Sequence, residues 1–395
     1  MKVGLLTREY PPDVRGSAGA HVEFLARELR PRMDLEVHCW GEGEAEGLLR
    51  HQPATVLAGA DDALRALSVD LAMAAELAGR ELVHSHTWYA GLAGHLAKLL
   101  YGIPHIMTAH SLEPLRPWPA GERGGGYALS RWAERVAMEG ADAVVALSRR
   151  MREDILTAYP ALDPATVRTI PGGIDTLLYR PDHDTEALDR IGLDPERPFA
   201  LFVGRIAREK GVAHLLRAAR MFDPEAQLVL CGSERTAAGD PGPDAGVREL
   251  FDALRQERDG VHWVTRPLPR PRLIQLLTHA AVVVCPSRYE PLGTVALEAM
   301  ACGTAVVAAA VGGLPEVVDD GTTGLLVPWA PDRPEAFEAA LTQAVNRVLD
   351  DPVQAVRMGA AGRQRAVREF GWDQVGKRTF ELYEELLTRP RRGRA

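Results

Sequence analysis

Ala281-Val282-Val283-Val284-Cys285-Pro286-Ser287-Arg288-Tyr289-Glu290-Pro291-Leu292-Gly293-Thr294-Val295-Ala296-Leu297-Glu298-Ala299-Met300-Ala301-Cys302-Gly303 is the stretch on which the fold turns. Residues 281–285 form an unbroken apolar run, as expected of a strand covered on both faces. A short loop follows, and residues 295–300 read as a helix. Glu290 stands at the strand-to-helix turn, and Glu298 about two helical turns further on. Between them a helix N-terminus exposes the amides of Leu292, Gly293 and Thr294. An ionised carboxylate accepts two or more hydrogen bonds and suits sugar hydroxyls, while free amides suit phosphates. Paired glutamates on a helix commonly mark a solvated face. Glu298 lies inside an apolar run, which argues against that reading.

The same strand-then-helix unit recurs in both directions along the chain. Upstream in this half, strands are predicted at 199–203 and 227–231, with helices at 212–219 and 273–280. Downstream, 305–308 is a further strand. The first half repeats the pattern, with strands at 3–6, 35–40, 82–84, 106–108 and 143–147 and helices at 20–29, 91–100 and 149–159. Such alternation predicts an α/β protein with two Rossmann-like domains, each built on a parallel sheet covered on both faces. The Pro- and Asp-rich segment 180–197 sets a boundary, giving domains 1–180 and 181–371. Residues 233–246 are poor in apolar side chains and read as a mobile surface loop. Residues 372–388 have helical periodicity and are a candidate to pack back on the first domain. The stretch 389–395 is a short basic tail.

Ligand sites of open parallel sheets lie at the carboxyl ends of the strands, and two further motifs sit there. Arg8-Glu9-Tyr10-Pro11-Pro12-Asp13-Val14-Arg15-Gly16-Ser17-Ala18-Gly19-Ala20-His21-Val22 is a small-residue turn entering a helix. Its amides suit a phosphate, although a plain strand–helix turn would look alike. Gly204-Arg205-Ile206-Ala207-Arg208-Glu209-Lys210-Gly211 places Arg205 and Lys210 in one loop. Such a pair neutralises a diphosphate leaving group where no metal does. Read alone, it is also compatible with a solvated basic loop.

Composition narrows the classes. The chain has 395 residues, a formal net charge of -8 and four cysteines: Cys39, Cys231, Cys285 and Cys302. The acidic balance gives no reason to expect nucleic acid. The cysteines show no metal or disulfide spacing, so reduced thiols in a reducing compartment are expected. No apolar run is long enough to span a bilayer, and residues 1–7 lack the pattern of a signal peptide. A cytoplasmic protein is therefore expected.

Glu290…Glu298 taken with Gly204-Arg205…Lys210-Gly211 resembles the GT4 family of glycosyltransferases, of GT-B fold, over nearly the whole chain. Within it, the chain is similar to the actinobacterial glycogen synthase and α-maltose-1-phosphate synthase group. The stretches that carry this are Thr7-Arg8-Glu9-Tyr10-Pro11-Pro12, His84-Ser85-His86-Thr87-Trp88-Tyr89, Thr108-Ala109-His110-Ser111-Leu112-Glu113-Pro114-Leu115-Arg116-Pro117-Trp118 and Tyr289-Glu290-Pro291-Leu292-Gly293.

The resemblance implies two domains facing a central cleft and a retaining transfer of a glucosyl-type unit. The donor would be a nucleotide-sugar such as ADP-glucose, and the acceptor a sugar, a sugar phosphate or an α-glucan. No bound cofactor and no metal are implied. Expected partners are these small molecules alone, without nucleic acid or membrane span; a homodimer is left open.

The resemblance also implies roles. Arg205 and Lys210 hold the diphosphate, with the amides of Leu292, Gly293 and Thr294. Glu298 holds the ribose, and Glu290 contacts the transferred ring. Gly16 and Ser17 approach the phosphates, and His110 lies beside the anomeric carbon. Glu9, His86 and Trp88 line the acceptor side. For His110 and His86, a packed core histidine is the plain alternative.

The chain departs from the group's usual pattern at Arg15 and Ser17, where an aromatic and a glycine are usual, and at Pro171-Gly172-Gly173 in place of His-Asn-Gly. It also departs at Arg288, where an uncharged residue is usual, and at Thr294-Val295-Ala296 in place of Ile-Val-Asn. Arg15 and Arg288 each add a positive charge beside a proposed substrate loop, which suggests a substrate with an extra anionic group. One alternative is thus a pseudo-glycosyltransferase joining an activated cyclitol to an amino sugar in acarbose-like biosynthesis. Another is an inactive nucleotide-sugar-binding regulatory protein.

Overall fold

A computed structural model describes residues 1–14, 16–115, 125–232 and 246–389. Arg15, Arg116, Pro117 and Trp118, most of the predicted surface loop (233–245) and the tail beyond Arg389 lie outside the described residues. The chain forms two compact units, one of residues 1–173 with 372–395, the other of residues 174–371.

The first unit carries β1 (Lys2–Leu6), β2 (Asp34–Trp40), β3 (Glu44–Ala45), β4 (Leu48–His51), β5 (Leu82–His86), β6 (His105–Thr108), β7 (Ala143–Ala146) and β8 (Val167–Thr169). They form one sheet in the order β3-β4-β2-β1-β5-β6-β7-β8. Only the short β3–β4 pair is antiparallel. Val3, Leu5, Leu82, Val83, Ile106 and Val144 are fully buried, as strands covered on both faces require. Burying each such side chain contributes about 1.5–3 kcal/mol. Strand order reverses at β1, which is flanked by β2 and β5.

The second unit carries β9 (Phe199–Val203), β10 (Gln227–Cys231), β11 (Val261–Val264), β12 (Val282–Cys285), β13 (Val306–Ala309) and β14 (Gly324–Val327). All pair in parallel, in the order β11-β10-β9-β12-β13-β14. That is the order of a doubly wound Rossmann sheet, whose reversal, and hence whose ligand crevice, falls between the first strand and the fourth. Here these are β9 and β12.

Two differences from the sequence reading have physical causes. Residues 174–180, read with the first half, make their contacts in the second. Ile174 bridges to Gly371, and Tyr179 is buried against Glu298. Helices Pro334–Leu349 and Pro352–Glu369 lie where no element is assigned from sequence. Phe337, Leu341, Val345 and Val348 recur along the first of them and are buried in the core with Leu215 and Leu228.

The helix Trp372–Thr388 belongs to the first unit. Its Gly376 lies so close to the helix Ser17–Leu29 that an added Cβ would meet the Cβ of Glu28 at 2.8 Å. The Tyr383 hydroxyl and His84 Nδ1 on β5 are 2.7 Å apart in the buried interior. All four cysteines are buried and free. Among the described residues, no helix is long and apolar enough to cross a membrane.

Candidate functional site

In each unit the predicted residues gather where strand order reverses. In the second unit, β9 ends at Val203 and the chain turns through Gly204 to Arg205 and Lys210. Beside it β12 ends at Cys285 and leads to Ser287, Arg288 and Glu290. Gly211 must be glycine, because its φ is +67° and an added Cβ would sit 2.0 Å from the Pro286 carbonyl oxygen. That close approach brings the two loops together. The backbone amide of Arg288 donates to the Glu209 carbonyl at 2.7 Å. Lys210 Nζ donates to Glu290 Oε2 at 2.7 Å, and Ser287 Oγ donates to the same oxygen at 3.1 Å. Arg205 donates to Glu209 Oε1 at 2.9 Å. Lys210 and Glu290, drawn from separate sequence motifs, thus pair directly, and Arg205 of the Lys210 motif pairs with Glu209 in the same loop.

The loop after β13 completes the support, and sequence reasoning missed it. Gly312 (φ +54°) lies against Glu290 so closely that an added Cβ would fall 1.8 Å from the Glu290 carbonyl oxygen. The Gly313 amide donates to that oxygen at 2.9 Å. The signal was a Gly-Gly pair following a strand. Gly293, with φ +103°, is the N-cap of the helix Thr294–Ala301, and no side chain caps that end. The amides of Gly293 and Thr294 therefore open the helix, while the Leu292 side chain is buried.

Glu298 rides one face of this helix, partly exposed. Burial pushes its carboxyl up to about 7, against the lowering effect of a hydrogen bond from Tyr179 and of the nearby Arg270. Tyr179 is a second residue that the sequence did not nominate. Arg288 is exposed, with its guanidinium 5.4 Å from the Trp329 ring centroid. A cation over an aromatic face is accounted for without a substrate anion.

In the first unit the loop after β1 bends back on itself. Glu9 Oε2 accepts the Gly16 amide at 2.9 Å. A Cβ on Gly19 would meet the Cβ of Glu9 at 2.8 Å. Glu9 is therefore a brace across the turn. Gly16 and Ser17 are exposed at the head of the helix Ser17–Leu29. Arg15 stays outside the described residues.

β5 ends at His86, beside the reversal, and β6 leads to His110. His86 Nδ1 and His110 Nε2 are 3.0 Å apart. Burial lowers the His110 pKa to about 4, so its ring is neutral near pH 7. His86 is fully buried and its pKa is also lowered, by burial first. Between His86 and Trp88, Thr87 takes φ +64°, a strained backbone for a β-branched residue. Trp88, expected along the acceptor side, is a buried ring. It is 7% exposed and packs with Ala63, Ala66 and Ala133. Its helical position turns the indole into the apolar layer between helices.

His21, on the helix Ser17–Leu29, is a site neighbour that the sequence does not single out. Its ring lies edge-on to His110, with centroids 4.9 Å apart, and Trp372 lies edge-on to His21 at 4.9 Å. The sequence shows no metal-ligand spacing, yet His21, His86 and His110 each offer a ring nitrogen within 4.8 Å of the others.

The Glycosyltransferase Family 4 model matches residues 18–177, and the model described as glycosyl transferases group 1 matches residues 184–365. The chain is 51% identical to the alpha-maltose-1-phosphate synthase of Mycolicibacterium smegmatis, over 98% of this chain and all of that one. It is 48% identical to the enzyme of that name from Mycobacterium tuberculosis, again over 98% and 100%. Sucrose-phosphate synthase of Thermosynechococcus elongatus has a similar structure, with a TM-score of 0.80 at 27% identity over 98% and 99% of the two chains. Family 4 enzymes typically use a nucleotide-sugar donor and need no metal. Matched along its whole length to such relatives, the chain belongs to glycosyltransferase family 4, the retaining enzymes of GT-B fold.

Proposed function

We propose that this enzyme transfers glucose from ADP-glucose to glucose 1-phosphate, making α-maltose 1-phosphate with retention. The bond between the donor's anomeric carbon and its β-phosphate oxygen breaks. A bond forms between that carbon and the acceptor's 4-hydroxyl oxygen, and the hydroxyl proton passes to the departing diphosphate. Transfer on one face needs no enzymic nucleophile.

The Lys210–Glu290 pair at the β9/β12 reversal is the observation that carries this reading. It couples a cation suited to the diphosphate to a carboxylate suited to the transferred sugar. As the leaving group gains charge, Lys210 and Arg205 neutralise it, without a metal. Lys210 then exchanges part of its contact with Glu290 for phosphate oxygens. Both hydrogen bonds to the Glu290 carboxylate among the described residues fall on Oε2, so Oε1 is available to a sugar hydroxyl. The open amides of Gly293 and Thr294 add backbone donors. Glu298 takes the ribose hydroxyls, whose hydrogen bonds favour its ionised form. Neutral His110 presents its ring or carbonyl to the sugar without adding positive charge. Full-length identity to two alpha-maltose-1-phosphate synthases supports the acceptor.

The test is nucleotide release from ADP-, UDP- and GDP-glucose with glucose 1-phosphate, maltose or glycogen. Release that requires ADP-glucose and glucose 1-phosphate together is expected. Release with glycogen but not with glucose 1-phosphate would refute the acceptor.

A further inference from the structure

Three imidazoles that converge beside a sugar-transfer site offer more ligand capacity than the reaction uses. His21 comes from the helix Ser17–Leu29, His86 from the end of β5 and His110 from the loop after β6. One nitrogen of each ring lies within 4.8 Å of the other two, and the His86–His110 pair is 3.0 Å apart. Tetrahedral zinc with nitrogen ligands at about 2.0–2.1 Å sets its ligand atoms roughly 3.3 Å apart. Small side-chain rotations close that difference.

The surroundings favour binding. Burial lowers the pKa of all three rings, so each is neutral near pH 7; the proton shared between His86 Nδ1 and His110 Nε2 moves to the far nitrogen of its own ring when a metal takes both atoms. His86 Nε2 is buried with no hydrogen-bond partner among the described residues. His21 is held by the edge of Trp372, which itself stacks on Phe24 at 5.5 Å. His110 is partly exposed and gives access from solvent. Three histidines with a free fourth position is a zinc ligand set.

We infer that His21, His86 and His110 form a site for a borderline divalent cation of the zinc type, and that filling it inhibits transfer. The inhibition rests on the place proposed for His110; the binding does not. A dication here draws the His110 ring toward the metal and brings positive charge to the carbon that develops cationic character.

The test uses the full chain, stripped with a chelator and desalted. Titration with Co2+ is expected to saturate at one equivalent, with the visible bands of a tetrahedral nitrogen site, and Zn2+ should displace it. X-ray absorption of the zinc form should count three imidazoles and no sulfur. His21→Phe keeps the aromatic packing and removes one ligand. It should lose the cobalt bands and weaken zinc binding at least about tenfold, within the range for damaged metal sites. The ratio of activities with and without micromolar Zn2+ should rise toward one in that variant.

No saturable binding to the wild-type chain would overturn the proposal, whether or not the variant folds. So would a zinc site of two imidazoles or fewer, or binding unchanged in His21→Phe. The last outcome would move the metal elsewhere, for instance to His38 and His51, which lie 3.1 Å apart. Three-imidazole binding with full activity would refute the inhibition and the place given to His110, while leaving the ADP-glucose and glucose 1-phosphate assignment to its own test.

Discussion

The two units use the same kind of sheet, and the same reversal point within it, to hold opposite kinds of chemistry. In the second unit the strand ends at β9 and β12 carry charge, in Arg205, Lys210, Glu209, Glu290 and Glu298. In the first unit β5 and the loop after β6 carry rings that burial keeps neutral: His84 and His86, fully buried, and His110, partly exposed. A diphosphate must be met by charge, while a developing sugar cation is disfavoured by extra positive charge nearby. The contrast teaches that the topology fixes where a site lies and the strand-end residues decide what it does.

The largest expected effect comes from the charged half. Lys210→Ala removes the cation proposed for the diphosphate and takes from Glu290 its ion-pair partner. Loss of a single preorganised donor costs about 10²–10³ in kcat, and steady-state kinetics should show at least that. Lys210→Arg should recover only part. If Lys210→Ala falls less than about tenfold, the second unit's charge is not catalytic and the contrast breaks.

Gly312→Ala should act next most strongly. It places a Cβ against the Glu290 carbonyl at a backbone φ of +54°. A stability loss of about 3 kcal/mol is expected by denaturant unfolding, a size tied to strain and overpacking. Turnover should fall with it, since Glu290 must shift.

Tyr383→Phe probes the neutral half. It strips His84 Nδ1 of its 2.7 Å partner in a fully buried setting. Leaving such a group unsatisfied costs about 1–3 kcal/mol, read as a lowered midpoint of unfolding. A variant as stable as the parent would show that the Trp372–Thr388 helix is not tied to the site by this bond.

Further effects concern pH, and their signs differ between units. His84 and His110 have folded pKa values of about 3 and about 4, below the unfolded value of about 6.5. The unfolded state therefore binds more protons, and the first unit loses stability as pH falls from about 6.5 toward 4. Glu298 is raised to about 7, so its folded form holds the extra proton. Its contribution to stability diminishes as pH rises from about 4.5 to 7. Unfolding midpoints across pH 4–8 should show Glu298→Gln flattening the upper limb while leaving the acid limb unchanged. Loss of the acid limb instead would reverse the assignment.

Much of this was legible in the chain. Runs such as residues 199–203 and 281–285, with turn residues at their ends, read as buried strands, and charged loops at their ends stand out. Arg205, Lys210 and Glu290 were visible for that reason. Other features depend on contacts that local pattern does not encode. Trp88 stands beside His86 in sequence, but its packing with Ala63, Ala66 and Ala133 joins elements far apart in the chain. The His21–His86–His110 group is assembled from separate elements with no sequence spacing to announce it. Gly312 matters because of what lies opposite it, and Tyr179 because residues 174–180 fold with the second unit.

The most direct measurement is an NMR spectrum of the product formed from ADP-glucose and glucose 1-phosphate. The account predicts a single new phosphorylated disaccharide whose new linkage is α-1,4, with one ADP released for each linkage made. A β-linked product, or ADP release that leaves glucose 1-phosphate unchanged, would contradict it.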